Sequence, residues 1–461
     1  MSFTRRQILA GLVGLSVVGL GAGGVRYWLG RPRAGNSHDY ELIAAPLDLE
    51  LVPGHQTPAW AYGGRAPGQE LRVRQGDWLR VRFINHLPVS STIHWHGIRL
   101  PLAMDGVPYV SQLPVLPGEY FDYQFQVPDA GSFWYHPHIT SSEQLGRGLV
   151  GPLIVEEREP SGFVHERTLC LKNWHVDEQG AFGAFSLPRE AARGGTPGRL
   201  SSINGVHAPT LDLPAGQVVR LRLLNVDNTL TYRLNLPDAE VQIYALDGNP
   251  VAPRPLGKEY WLGPGMRIDL ALKVPAVGTE LSLRNGPVRL ATLRAQAALE
   301  PVAAGGSEWP PALPANPVSE PDVASAETLR FSFEWVGSLS ENTANGAPRS
   351  YWQINGEAWD ISNKNCADKP IAKLQLGKSY IFELRNMAQY QHPIHLHGMS
   401  FKVLSSNRHQ VIPYFTDTYL LGKNESARIA LVADNPGSWM FHCHVIDHME
   451  TGLMAAIEVA D

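Results

Sequence analysis

The sequence predicts an all-β protein made of several related sandwich domains, and three observations support this prediction. Hydrophobic residues make up 44% of the 461 residues and charged residues 18%, with 44 Gly and 36 Pro, as expected for a globular chain rich in turns. This length allows about three domains of roughly 100 to 200 residues each. Short runs of alternating apolar and polar residues, such as Trp78 to Phe83, predict half-buried strands of antiparallel sheets.

A strand phrase that ends in Asn occurs three times, at residues 78–85, 217–225 and 378–386. The copies lie roughly 140 to 160 residues apart, and recurrence at a fixed period indicates internal repetition. The stretch 297–325 is rich in Ala, Pro, Gly and Ser and predicts a linker. We therefore expect domains at 40–158, 159–296 and 326–461.

The N-terminus resembles a twin-arginine export signal. Arg5 and Arg6 precede a weakly apolar stretch, residues 10–25, that is rich in glycine. We interpret residues 1–35 as this signal and expect export of the folded protein to the periplasm by the twin-arginine machinery. An uncleaved membrane anchor is the alternative, because residues 8–25 are near the shortest length that crosses a bilayer.

Charge and cysteine content exclude several classes of protein. The net charge is −5 and the basic residues are scattered, so we expect no nucleic-acid partner. Three cysteines exclude a disulfide scaffold and a four-thiolate zinc or iron–sulfur site. Cys170 and Cys366 lie in different predicted domains, and the sequence leaves open whether they pair.

Ten of the 17 histidines fall in four short clusters. Alternate side chains of a strand share a face, so each His-x-His pair can present two imidazoles to one metal region. The clusters are His94 with His96, His136 with His138, His392 with His395 and His397, and His442 with His444 and His448.

The fourth cluster contains Cys443 between two histidines, so the thiolate points to the opposite face of the strand from both imidazoles. Cys443, His392 and His448 form the two-histidine, one-thiolate ligand set of a blue-copper centre. Zinc is the alternative metal, but ten histidines and one cysteine exceed the ligand number of any simple zinc site.

From about residue 40 to its end, the chain resembles the multicopper oxidase family, because all four clusters occur in that family's order. The resemblance implies three cupredoxin-like Greek-key β-sandwich domains and four copper ions. It also implies that a reductant loses single electrons at a type 1 copper, and that four electrons reduce dioxygen to water at a trinuclear cluster. The implied type 1 ligands are His392, Cys443 and His448, and the implied type 2 ligands are His94 and His395. The implied type 3 ligands are His96, His136, His138, His397, His442 and His444.

Three positions bear on how closely the chain follows the family. Leu453 occupies the axial position of the type 1 copper, and we interpret it as non-ligating, which should raise the reduction potential of that copper. Met454, the next residue, is the alternative axial group. Asp105 matches an acidic residue that moves protons near the type 2 copper, although Asp105-Gly106 is also a turn signal. Met449 stands where some bacterial relatives carry a glutamate, and Glu450 follows it as in several eukaryotic laccases, which makes Glu450 the second candidate for proton transfer.

The reductant is the least determined feature of the sequence. We expect a phenol or an aromatic amine, because the eight residues before His392 include no carboxylate to dock a metal ion and the chain has no methionine-rich insert. Manganese(II) or a cuprous ion is the alternative reductant. A copper-binding or scaffold protein on the same fold and a two-domain nitrite reductase are rival classes, but every ligand position is filled and a third repeat is present. We expect a monomer.

Overall fold

The computed structural model describes residues 35–297, 308–336, 350–360 and 366–461. These residues form thirty strands in six sheets. The predicted export signal, residues 1–35, lies outside the described residues except for Gly35. Within the described ranges, no helix has both the length and the apolar character needed to cross a membrane.

Residues 37–156 form the first two sheets. Their strands are β1 (Ser37–Val52), β2 (His55–Tyr62), β3 (Leu71–Arg74), β4 (Trp78–Asn85), β5 (His94–His96), β6 (Tyr120–Gln126), β7 (Gly131–His136) and β8 (Gly151–Glu156). One sheet has the order β2-β1-β4-β6 and the other the order β3-β8-β7-β5. Leu79 and Phe125 of the first sheet share one buried core with Trp95 and Leu153 of the second, so the two sheets form a sandwich.

Residues 165–296 form the second pair of sheets. Their strands are β9 (His165–Trp174), β10 (Leu200–Ile203), β11 (Thr210–Pro214), β12 (Val218–Asn225), β13 (Tyr232–Asn235), β14 (Glu240–Leu246), β15 (Asn249–Pro255), β16 (Tyr260–Leu262), β17 (Arg267–Lys273), β18 (Glu280–Asn285) and β19 (Val288–Gln296). The sheet orders are β10-β9-β12-β17-β14-β15 and β11-β19-β18-β13-β16. Leu221 and Leu270 of the first sheet pack in one core with Leu234 and Leu283 of the second.

Residues 327–460 form the third pair of sheets. Their strands are β20 (Glu327–Trp335), β21 (Trp352–Ile354), β22 (Ala372–Gln375), β23 (Ser379–Asn386), β24 (His392–Leu396), β25 (Phe401–Ser406), β26 (Tyr414–Thr416), β27 (Thr418–Leu421), β28 (Ser426–Val432), β29 (Gly437–Cys443) and β30 (Met454–Ala460). The sheet orders are β21-β20-β23-β28-β25-β26 and β22-β30-β29-β24-β27. Phe382 and Ile429 of the first sheet pack with Ile394 and Phe441 of the second.

Helical segments in the described ranges are short. They are α1 (Ser141–Gly146), α2 (Pro188–Ala191), α3 (Ile446–Glu450) and two 3₁₀ turns, Leu102–Met104 and Cys366–Asp368. The described part of the predicted linker, residues 308–325, has no helix or strand. It still packs on the sandwiches, because the Asn316 side chain exchanges hydrogen bonds with the Ala130 backbone and donates to the Gly248 carbonyl.

The prediction of an all-β chain of sandwiches is confirmed, but the strands are not all antiparallel. Each of the six sheets contains one parallel pair, for example β1 with β4 and β22 with β30. Parallel neighbours need a long crossover connection, and here the chain crosses to the other sheet between them. Alternation within one strand cannot reveal the direction of its neighbour.

The Asn that ends each repeated phrase has the same role in all three sandwiches. Asn85, Asn225 and Asn386 are buried, and each side-chain amide donates to one carbonyl of the loop that follows and to one carbonyl of a later segment. Each amide oxygen accepts from the backbone N–H two residues later. The recurring Asn therefore fixes the exit of the corresponding strand in each sandwich.

Candidate metal centre

The first two histidine clusters come together because β5 pairs with β7. His94 lies opposite His136, and His96 lies opposite Trp134. His138 follows β7 by two residues, and all four imidazoles are buried. Their side chains alternate with Trp95 and Tyr135, which enter the core of the first sandwich. The histidine side chains therefore lie on the opposite face of the sheet, away from that core.

The third and fourth clusters come together in the third sandwich, where β24 pairs with β29. His395 lies opposite His442, and Ile394 lies opposite Cys443. His395 and His442 thus lie on one face of the sheet, and Cys443 lies on the other face with Ile394 in the core of the sandwich. One strand therefore directs side chains to two separate groups, as the alternation along a strand predicts.

Eight imidazoles from the two sandwiches face one another. The rings of His94 and His397 are stacked with centroids 3.9 Å apart, and those of His96 and His395 are also 3.9 Å apart. Ligand atoms of His138, His397 and His442 all lie within 4.8 Å of one another. The His444 ring lies 4.7 Å from that of His96 and 5.4 Å from that of His136, between centroids.

Hydrogen bonds to one ring nitrogen leave the other nitrogen directed into this cluster. The Nδ1 atoms of His94, His136 and His395 donate to backbone carbonyls at 2.9 Å. Their buried Nε2 atoms have no hydrogen-bond partner among the described residues. Metal-binding histidines usually show this arrangement, since the bonded nitrogen fixes the ring and the free one ligates.

His397 and His442 show the need for a cation most directly. The Nδ1 of His397 donates to Asp105 Oδ2 at 2.8 Å, and that of His442 donates to the Cys443 carbonyl at 2.9 Å. Their Nε2 atoms then carry lone pairs that face each other at 3.0 Å. Burial lowers the pKa of His442 to about 3, so neutral imidazoles surround a space that suits a metal ion.

A second, smaller group contains the thiol. Cys443 Sγ lies 3.6 Å from Nδ1 of both His392 and His448, and these two nitrogens are 3.1 Å apart. Val445 N–H donates to the sulfur at 3.3 Å. All three side chains are buried, and two imidazoles with one thiolate suit copper.

Residues 191–193 of the second sandwich and Trp352 of β21 cover this group. His448 Nε2 donates to the Arg193 carbonyl at 2.7 Å. Trp352 packs against both imidazoles, with ring centroids 4.9 Å from His392 and 4.3 Å from His448, and its indole N–H donates to the Ala191 carbonyl. The outer edge of His448 is therefore not open to solvent.

Leu453 and Met454 lie in different cores. Leu453 is buried in the core of the third sandwich together with Cys443. Met454 is opposite His442 in the β29–β30 pair and belongs to another cluster, which contains Trp134 and Met440. The structure thus places Leu453, and not Met454, on the side of the thiol.

Asp105 reaches the imidazole cluster and also forms a turn. Its carboxylate accepts from His397 and lies 3.1 Å from His94 Nδ1. Gly106 has φ +78°, and a Cβ there would lie 1.7 Å from the Ile93 carbonyl oxygen, so only glycine fits beside this strand. Asp105-Gly106 is therefore a turn that also brings a carboxylate to the imidazoles.

Glu450 does not touch the imidazoles in the described structure. Its carboxylate accepts from the Ser142 backbone N–H at 3.1 Å, and burial raises its pKa. Met449 lies beside it in the apolar cluster of Trp134 and Met454. Cys170, Cys366 and Cys443 are free thiols.

Asp417 and Thr418 contact the cluster, but the sequence did not predict that they belong to the site. The Asp417 carboxylate lies 3.4 Å from both His96 Nε2 and His395 Nδ1, and Thr418 Oγ1 is 3.0 Å from His395 Nδ1. They reach the site because β24 pairs with β27, where Thr418 lies opposite His395. No short motif connects them to a histidine, so only the strand pairing could have revealed them.

Comparison with known proteins agrees with this geometry. Two family models, both described as multicopper oxidase, match residues 47–160 and 339–461. A multicopper oxidase structure from Pseudomonas thermotolerans is 71% identical with a TM-score of 0.87, and the match covers 93% of this chain and 100% of that one. One from Pseudomonas parafulva is 72% identical with a TM-score of 0.85, covering 92% and 100%.

More distant relatives carry several names. Multicopper oxidase MmcO of Mycobacterium tuberculosis is 27% identical over 473 residues, which cover 93% of this chain and 88% of the relative. Others are named laccase, copper resistance protein and metallo-oxidase. These names differ in the reductant that they suggest.

Proposed function

Because the chain belongs to the multicopper oxidase family, we propose that it binds four copper ions at the two groups of side chains described above. Members of this family are oxidoreductases that use dioxygen, so the chain is an enzyme of that class. In the proposal, His392, Cys443 and His448 hold the type 1 copper. His94 and His395 hold the type 2 copper, and the other six imidazoles hold the type 3 pair.

The observation that carries this proposal is the position of Cys443 on β29. Its sulfur faces His392 and His448, while the imidazoles of His442 and His444 on either side join the cluster of eight. The thiol and the cluster are thus joined through the backbone of three consecutive residues. When bound, copper supplies one-electron transfer at the thiol site and four-electron reduction of dioxygen to water at the cluster.

The protein's own side chains have defined tasks in this proposal. Asp105 holds His397 by its Nδ1, so that Nε2 faces the cluster. Asp105 and Glu450 are the candidate proton carriers for the water that forms, because Asp105 is buried beside the imidazoles and Glu450 is a half-buried carboxyl group whose pKa is raised by burial.

The proposed reductant is a phenol or an aromatic amine, as in laccases. The second candidate is a metal ion, manganese(II) or copper(I), and the Arg193 carbonyl on His448 favours it. This contact occupies the imidazole N–H that an organic substrate would otherwise bond. A panel of both substrate classes, compared by kcat/KM, distinguishes the candidates: activity on metal ions alone excludes the laccase-like reaction.

Copper content and the visible spectrum test the proposal. The copper-loaded protein should contain about four coppers and show an intense blue thiolate band. One copper or none, without the blue band, would mean that the side chains do not bind copper as proposed, and a scaffold function would then be the better explanation.

We also propose that the protein is exported as a folded monomer to the periplasm. Arg5 and Arg6 support this proposal, since they match a twin-arginine signal. The double variant Arg5→Lys with Arg6→Lys should remain in the cytoplasm when cells are fractionated, whereas the wild type should reach the periplasm. Equal export of both would exclude the twin-arginine route. Size-exclusion chromatography tests the monomer.

A further inference from the structure

A buried ion pair connects the second sandwich to the cluster of imidazoles. Arg267, the first residue of β17, donates from Nη1 and Nη2 to the two carboxylate oxygens of Asp417 at 2.8 and 2.6 Å. Arg267 is 0% exposed and Asp417 is 1% exposed. Two parallel charge-assisted bonds in a buried site fix the plane of the carboxylate.

Asp417 transmits this orientation to two histidines. Its backbone carbonyl accepts from His395 Nδ1 at 2.9 Å, and its carboxylate lies 3.4 Å from His395 Nδ1 and His96 Nε2. Thr418 Oγ1 donates to the same carboxylate at 2.7 Å. A group that holds the outer nitrogen of a histidine decides which nitrogen faces the metal.

The remaining guanidinium bonds anchor Arg267 to two sandwiches. Nε donates to the Ser132 carbonyl on β7 at 2.9 Å, and Nη1 also donates to the Gly265 carbonyl at 3.2 Å. A lysine ammonium could not make this planar set of bonds.

Gly97, directly after His96, provides the space for the ion pair. Its φ is +87°, and a Cβ there would lie 2.4 Å from Arg267 Nη2 and 2.7 Å from Asp417 Oδ2. Gly97 therefore leaves space for the Arg267 guanidinium and also adopts the positive φ that its turn requires.

We propose that Arg267 is a positioning residue of the type 2 copper site. It fixes Asp417, which holds His395 and His96 in the orientation that ligation requires. The second sandwich contributes none of the eleven candidate ligands, and this contact is one route by which it reaches the cluster. The inference rests on the proposed function, because it assumes that His395 ligates the type 2 copper.

The test compares Arg267→Gln and Arg267→Lys with Arg220→Lys in the full-length, copper-loaded protein. Arg220 is a matched control, because it is 0% exposed and pairs with Asp269 at 2.7 Å, but has no contact with the imidazoles. The measurements are copper per chain, the blue absorption of the type 1 copper, and the electron paramagnetic resonance signal of the type 2 copper.

Arg267→Gln should weaken retention of the type 2 copper by roughly 10- to 100-fold, the usual effect of losing a group that orients a ligand. Copper content should fall from about four toward three, with the blue band retained. Arg267→Lys, which keeps the charge, should fold and bind copper but show an altered type 2 signal. Arg220→Lys should keep the wild-type signal.

A wild-type type 2 signal in both Arg267 variants would overturn the inference, and so would the same change in Arg220→Lys. Either result leaves the proposed function intact if the wild type has four coppers. A wild type without the blue band would instead contradict the proposed function itself.

Discussion

At the scale of single residues, Lys172 is a buried charge outside the candidate metal centre. It is 0% exposed, donates to Asn228 Oδ1 at 3.3 Å, and lies over the Trp174 ring. Burial lowers its pKa to about 8, and Asp227 partly opposes this shift. Between pH 8 and about 10.4, the unfolded chain binds a proton here that the folded protein does not, so stability rises with pH in this window.

We expect Lys172→Met to stabilise the protein at pH 7. The shift in pKa means that keeping Lys172 charged costs the folded state about 3 kcal/mol of stability. Loss of its hydrogen bond to Asn228 removes about 1 kcal/mol of the stability that Lys172→Met gains. Denaturant unfolding from pH 7 to 10 measures this effect. The rise in stability above pH 8 should disappear in this variant. The control Lys378→Met, at an exposed position, should change the free energy of unfolding little. A destabilised Lys172→Met would show that the charge is favourable where it lies.

Leu453 gives a second prediction at this scale. Because it lies in the same core as Cys443, Leu453→Met should bring a thioether to the type 1 copper and lower its reduction potential. A spectroelectrochemical titration measures the potential. Met454→Leu is the control and should leave both potential and blue spectrum unchanged. Loss of the blue band in the control would mean that Met454 is the axial group.

At the scale of elements, β29 separates the two groups of side chains, because His442 lies on one face of the strand and Cys443 on the other. Cys443→Ser should remove the thiolate and with it the blue band, while the eight imidazoles keep their places. Copper should fall from about four to three, and oxidation of every reductant should stop. The matched control is Cys170→Ser, another buried thiol that lies in a different cluster; it should keep the blue band. A blue band in Cys443→Ser would exclude this thiol as the ligand.

At the scale of the whole molecule, the metal ions should hold sandwiches together, because the first sandwich contributes four imidazoles and the third sandwich contributes four. Without metal, the facing lone pairs of His397 and His442 at 3.0 Å repel each other. Copper should therefore raise the midpoint of thermal unfolding. A site filled at one hundred times its Kd adds about 3 kcal/mol. Calorimetry on chelator-treated and reloaded protein measures the shift; equal midpoints would contradict shared ligation.

Much of the candidate site follows from the sequence, because each histidine cluster is local. Alternation along β5 or β29 is enough to place His94 with His96 and to separate Cys443 from His442. The cupredoxin-like fold was also predicted correctly. These features depend on residues that are neighbours along the chain.

Features that depend on distant contacts were not predicted. Asp417 needs the pairing of β24 with β27, and Arg267 needs the packing of three sandwiches. The loop that places the Arg193 carbonyl on His448 comes from the second sandwich. No periodicity or spacing encodes such contacts, so the surroundings of the site become visible only in three dimensions.

The placement of Cys443 between His442 and His444 also has a kinetic consequence. Movements of packed domains against one another generally occur in microseconds to milliseconds, and here they would change the width of the cluster. They do not change the path from the sulfur to these two imidazoles, because that path consists of bonds within one strand. Internal electron transfer should therefore be independent of solvent viscosity, whereas dioxygen uptake between the sandwiches should slow as viscosity increases.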